Sequence, residues 1–165
     1  NLGMLFSSVI ATGDYAEAAR GTSPATGSTV GQQRLPDSYT FVNGAGMYSQ
    51  VLGNILVPIN AKPATASQVR AIFMGGPHTG EIICHLLYDK YSLGGAITIT
   101  AHAATGDVTK TYTPSGNYRY FYLTFDLPVA SAGDLFQILL YRDGADAHLN
   151  DISFLGAQFY YTIGT

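Results

Sequence analysis

From residue 37 onward the chain alternates short runs rich in Val, Ile, Phe, Tyr and Thr with clusters of Gly, Pro, Asn and Asp. That is the texture of β-strands divided by tight turns. It predicts strands over residues 38–42, 46–59, 69–74, 81–87, 96–102, 109–113, 118–127, 135–142 and 152–163, with turns at 75–78, 92–95, 113–116 and 142–145. No helix of ordinary length fits this region. Eight or nine amphipathic strands bury their apolar faces by packing one sheet on another, so the expected fold is all-β, an antiparallel two-sheet jelly roll or β-sandwich over 37–165.

Three strands carry more detail. In 96–102, Ile97, Ile99 and Ala101 share one face and Thr98, Thr100 and His102 the other, as expected of a half-solvated strand. In 118–127, Phe121, Leu123, Phe125 and Leu127 form the core side and Tyr118, Tyr120 and Tyr122 point away from it. Segment 135–141 is apolar on both faces, which points to a central strand covered by loops or to a subunit interface.

Residues 1–36 read differently, as an N-terminal arm and linker. Positions 20–33 are rich in Gly, Ser, Thr and Pro, too polar to bury much surface alone. Before them Leu2, Leu5, Phe6, Val9 and Ile10 recur at spacings near three and four. Asp14 can N-cap a short helix ending near Arg20; the alternative is an extended arm lying on a neighbour. The chain begins with Asn1, so it is expected to be a processed or excised portion of a longer product.

Composition shifts the picture toward assembly. The chain has 165 residues, 47% hydrophobic and only 12% charged, against about 25% charged in ordinary soluble domains. A surface so poor in charge is expected to be partly covered by other protein. The formal net charge is -3 and the eight Lys and Arg are scattered, so nucleic acid is not an expected partner. No apolar run is long enough for a membrane-spanning helix. The single cysteine, Cys84, sits in the apolar run 82–87 and reads as a small buried hydrophobe.

The most distinctive text is residues 151–162: an acidic turn, Asp151, then an apolar strand with Phe154, a Leu155-Gly156 pair, Tyr160 and Tyr161. A glycine inside such a strand marks a bulge or a close approach of backbone. This closing segment, about the last 25 residues, resembles the C-terminal jelly-roll domains of bacteriophage virion structural proteins. The resemblance implies a virion component, a head decoration, head-fiber or tail-fiber protein, non-enzymatic and often trimeric. It implies a homotrimer that meets other virion proteins through its N-terminal arm and serves assembly or host attachment. It brings no catalytic residues and no cofactor.

An alternative is a carbohydrate-binding module of a cell-surface or secreted protein. Tyr118, Tyr120 and Tyr122 offer flat apolar rings with hydroxyls, suited to stacking on sugars or to filling a protein interface. Metal and catalytic chemistry have weaker footing. His78, His85, His102 and His148 fall at no ligand spacing and read as surface or hydrogen-bonded residues. Asp143, Asp146 and Asp151 lack the alternation of a calcium loop. Glu81, the second and last glutamate, could be joined by any of several aspartates for glycoside cleavage, and nothing in the sequence places such a pair at the required separation.

Overall fold

The computed structural model describes residues 2–3, 6–8, 15–17, 19–21, 38–41, 48–63, 65–75, 79–95, 106–115 and 119–163. Twelve strands occupy them: β1 (Leu2–Gly3), β2 (Phe6–Ser8), β3 (Tyr15–Glu17), β4 (Ala19–Gly21), β5 (Ser38–Phe41), β6 (Tyr48–Leu56), β7 (Thr65–Gly75), β8 (Ile82–Tyr91), β9 (Gly106–Tyr112), β10 (Arg119–Ala130), β11 (Leu135–Arg142) and β12 (Ile152–Tyr160). No helix occurs among the described residues.

The strands form two sheets, a jelly-roll β-sandwich. The first sheet runs β10-β7-β12-β5-β4, with β1 beside β12, and the second β2-β6-β11-β8-β9, with β3 beside β6. All pairings are antiparallel except β3 with β6. From β6 to β12 the chain changes sheet at every connection but the one between β8 and β9, so nearly every hydrogen-bonded ladder joins residues distant in sequence.

Alternation produces the core. In β10, Phe121, Leu123, Phe125 and Leu127 are buried, as expected, and their registered partners Phe73, Ala71 and Val69 on β7 are buried with them. Phe73 lies 5.3 Å from Phe121 and 5.5 Å from Phe154, ring centre to ring centre, and Phe154 stacks on Phe41 at 5.8 Å. At the β9–β10 edge, Tyr112 stacks flat on Phe121 at 4.2 Å, joining the two sheets. Cys84 is wholly buried, and burial drives its thiol far above the usual range, as suits a packing residue.

Residues 15–17 and 19–21 are extended. Tyr15–Glu17 pairs with β6 and Ala19–Gly21 with β5, so the short helix capped by Asp14 does not form. A strand there gains ladder partners from this chain, whereas an isolated two-turn helix has little to stabilise it. The described parts of the first 36 residues thus add strands to both sheets, while residues 22–33 of the linker and the strand expected at 96–102, with His78 and His102, lie outside the described residues. Strand β11 is central, between β6 and β8, with half-buried Leu135, Leu139 and Tyr141 on its outer side.

His148, expected as a surface or hydrogen-bonded residue, is fully buried in the loop after β11, where its backbone N–H donates to Asp146 Oδ1 and its carbonyl accepts from Arg142. Arg142 holds that loop in place. Its guanidinium is fully buried, forms a two-point ion pair with Asp146, and donates to the carbonyls of Asn150, Phe41 and His148.

Candidate binding face on the first sheet

The outer face of β10, β7 and β12 can be read directly from their registers. Tyr122 lies across from Ile72, which lies across from Gly156; Thr124 from Arg70 and Gln158; Asp126 from Gln68 and Tyr160. Because directly paired residues share a face, these side chains form one surface on the side away from the core. The core side of the same strands is apolar, whereas this side carries tyrosines, glutamines, an arginine and an aspartate.

Tyr120 and Tyr122 are 65% and 59% exposed, two residues and about 7 Å apart along the strand. They do not pack within the sandwich. Tyr118, the first of the expected row, lies outside the described residues. The row continues instead across the sheet, through Arg70 to Tyr160. The Arg70 guanidinium carbon sits 4.5 Å from the ring centres of both Tyr122 and Tyr160, a doubled cation–π contact. Arg70 Nη1 donates to Tyr160 Oη at 3.1 Å, and that hydroxyl donates to Gln158 Oε1 at 2.7 Å. Two tyrosines 38 positions apart are thereby fixed around one planar cation.

A second polar chain borders the first. Gln68 Nε2 donates to Asp126 Oδ1 at 2.7 Å, and Lys110 from β9 reaches Asp126 Oδ2 at 3.4 Å. The hydrogen bond from Gln68 is the main reason the Asp126 carboxyl is held below the ordinary carboxylate range; slight desolvation opposes it and Lys110 adds to it. Beyond Gln68 and Tyr160 the face opens into a cleft of about 260 Å³ lined by Ala66, Gln68, Tyr160, Tyr161 and Thr162.

The closing strand supplies much of this surface. Asp151 is exposed before β12, and Phe154 is in the core. Between Phe154 and Gly156 the register with β7 shifts by one residue, leaving half-buried Leu155 as the bulge. Gly156 takes a φ of +144°, and a Cβ there would meet nothing within 4 Å. The glycine thus answers a backbone requirement and leaves open space beside Ile72. Tyr160 ends up on the outer face, and Tyr161 stacks on Phe159 at 5.7 Å and donates to Asn60 Oδ1. Of the acidic turn residues, Asp146 is committed to Arg142, and Asp143 caps its own turn through Ala145 N. Among the described residues no group of three or more His, Cys, Asp or Glu gathers to hold a metal.

Neither a protein-family model nor a curated protein matches the chain. Several solved structures are similar to it. It is similar to TmCBM61 in complex with β-1,4-galactotriose, at 10% identity over 79% of this chain and 74% of that one, with a TM-score of 0.39. A Family 16 Carbohydrate Binding Module gives 16% identity over 87% and 84%, with a TM-score of 0.36. The enzymatically active domain of bacteriophage CBA120 tailspike protein 4 gives 10% identity and a TM-score of 0.46; 96% of this chain spans 19% of that one.

Proposed function

We propose that the domain is a binding module without catalytic turnover, and that the outer face of β10, β7 and β12 holds a glycan. The observation that carries this reading is the joint placement of exposed Tyr120 and Tyr122 with Arg70, Gln68, Gln158 and Tyr160 on one open sheet face. A sugar presents an apolar ring face edged by hydroxyls. Tyrosine rings answer the first, and planar amide and guanidinium groups answer the second. Tyr and Arg also lose little conformational freedom on binding when their neighbours already hold them, and here Arg70 holds Tyr122 and Tyr160. The test is a glycan array probed with the full chain and with the Tyr120→Ala/Tyr122→Ala variant: binding by the first and not by the second is expected. No glycan bound by the unmodified chain overturns the proposal.

A second reading has its own observation. On the second sheet, Leu52, Leu139 and Leu87 line up across β6, β11 and β8 on the outer face, flanked by Leu56, Leu135 and Tyr91. An apolar row there, in a chain with only 12% charged residues, suits a subunit contact. This supports a virion structural protein, a homotrimer decorating a capsid or forming part of a fiber, in which the tyrosine face meets a host surface glycan. Light scattering decides it: a trimer is expected, and a monomer at high concentration contradicts it.

A further inference from the structure

We infer that the face selects glycans bearing acid groups, with Arg70 as the residue that receives a carboxylate or sulfate beside Tyr122. The inference rests on the glycan reading above and narrows it to a ligand class.

Arg70 is half-buried, and among the described residues no carboxylate pairs with it. Among the described residues its one hydrogen bond runs from Nη1 to the neutral Tyr160 hydroxyl, and its buried Nε meets no acceptor. Among the described residues the other fully or partly buried Lys and Arg side chains are treated differently: Arg142 has Asp146, Lys90 has Asp134 at 3.0 Å and Lys110 has Asp126 at 3.4 Å. A guanidinium withdrawn from water without a counter-ion is costly, and an unmet buried donor on the same group adds to that cost. Two tyrosine rings partly compensate and hold the planar fork in one orientation.

The nearby acid does not neutralise Arg70, since Asp126 is taken up by Gln68 and Lys110. The face therefore presents an oriented cation, with no counter-ion among the described residues, beside exposed aromatic rings. A sugar acid supplies both complements at once, an apolar ring face for Tyr120 and Tyr122 and an anion for the guanidinium. Carboxylate and sulfate share this chemistry.

The experiment titrates the full chain by calorimetry with polygalacturonate and with the same polymer fully methyl-esterified, and in parallel with dextran sulfate and dextran. At low salt, one acidic polymer is expected to bind at least about tenfold more tightly than its neutral counterpart. Added salt should erode that preference. Arg70→Met, which keeps the packed stem, should abolish the preference while leaving the thermal midpoint in place; Arg70→Lys should retain part of it. Equal binding within both pairs, or a preference that survives Arg70→Met, overturns the inference. If a neutral glycan binds through Tyr120 and Tyr122 with no acid preference, the inference falls and the glycan reading stands. If no glycan of either kind binds, both fall.

Discussion

Arg142 meets Asp146 through two hydrogen bonds, Nε to Oδ2 at 2.8 Å and Nη2 to Oδ1 at 2.7 Å, with neither side chain reaching solvent. The same carboxylate accepts from the backbone N–H groups of Ile83 and His148. The pair therefore ties the loop after β11 to β8 and closes one end of the sandwich. Asp146→Asn leaves a buried guanidinium without its counter-ion, and a loss of about 3–5 kcal/mol is expected in denaturant unfolding. A loss below about 1 kcal/mol is the signature of a solvated pair and contradicts this account.

Two glycines separate strain from collision. At Gly156 an added Cβ has room but the φ of +144° is unfavourable, so Gly156→Ala is expected to cost about 1–3 kcal/mol with the fold retained. At Gly80 an added Cβ would lie 1.9 Å from the carbonyl oxygen of Ala147, so Gly80→Ala must displace the loop that Arg142 anchors. Gly80→Ala should be the more damaging of the two in thermal unfolding, and the reverse order would contradict the assignment.

Asp134 gives the fold a pH dependence. Burial acts to raise its carboxyl, but the Ser131 N–H, the Lys90 ammonium and the Leu93 backbone overcome it and hold the group below the ordinary range. A carboxyl depressed in the folded state stabilises fully above its unfolded pKa, about 3.9, and loses that contribution as pH falls through the folded value. Stability of the unmodified chain should therefore decline below about pH 4, and Asp134→Asn should flatten part of that slope. An unchanged slope in the variant would assign the decline to other carboxylates.

What was legible in the sequence follows from how local each signal is. The alternation of β10 places four core residues and two outward tyrosines within ten positions, so Phe121 to Leu127 and Tyr120 and Tyr122 could be assigned by period alone. The glycine in the closing strand announced its bulge for the same reason. Arg70 could not be found this way. It sits in a run, 69–74, that reads as apolar, and only pairing of β7 with both β10 and β12 brings it to Tyr122 and Tyr160. Arg142 and Asp146 looked like residues of a polar turn, because burial depends on what folds over them. The short helix that Asp14 could cap does not form because ladder pairing decided the matter: Tyr15–Glu17 joins β6 and Ala19–Gly21 joins β5, partners that no local signal reveals.

The central claim is that the outer face of β10, β7 and β12 binds a glycan through its tyrosines. Tyr120 is exposed, so Tyr120→Ala should change stability by no more than about 0.5 kcal/mol, while Tyr122→Ala also gives up its cation–π contact with Arg70, worth about 0.5–1 kcal/mol. The most direct measurement is affinity of the unmodified chain and of the Tyr120→Ala/Tyr122→Ala variant for a glycan found on the array, with thermal unfolding recorded on both. Lost binding with a midpoint lowered by no more than a few degrees is the predicted result. Undiminished binding by the stable variant would place the ligand elsewhere and contradict the account.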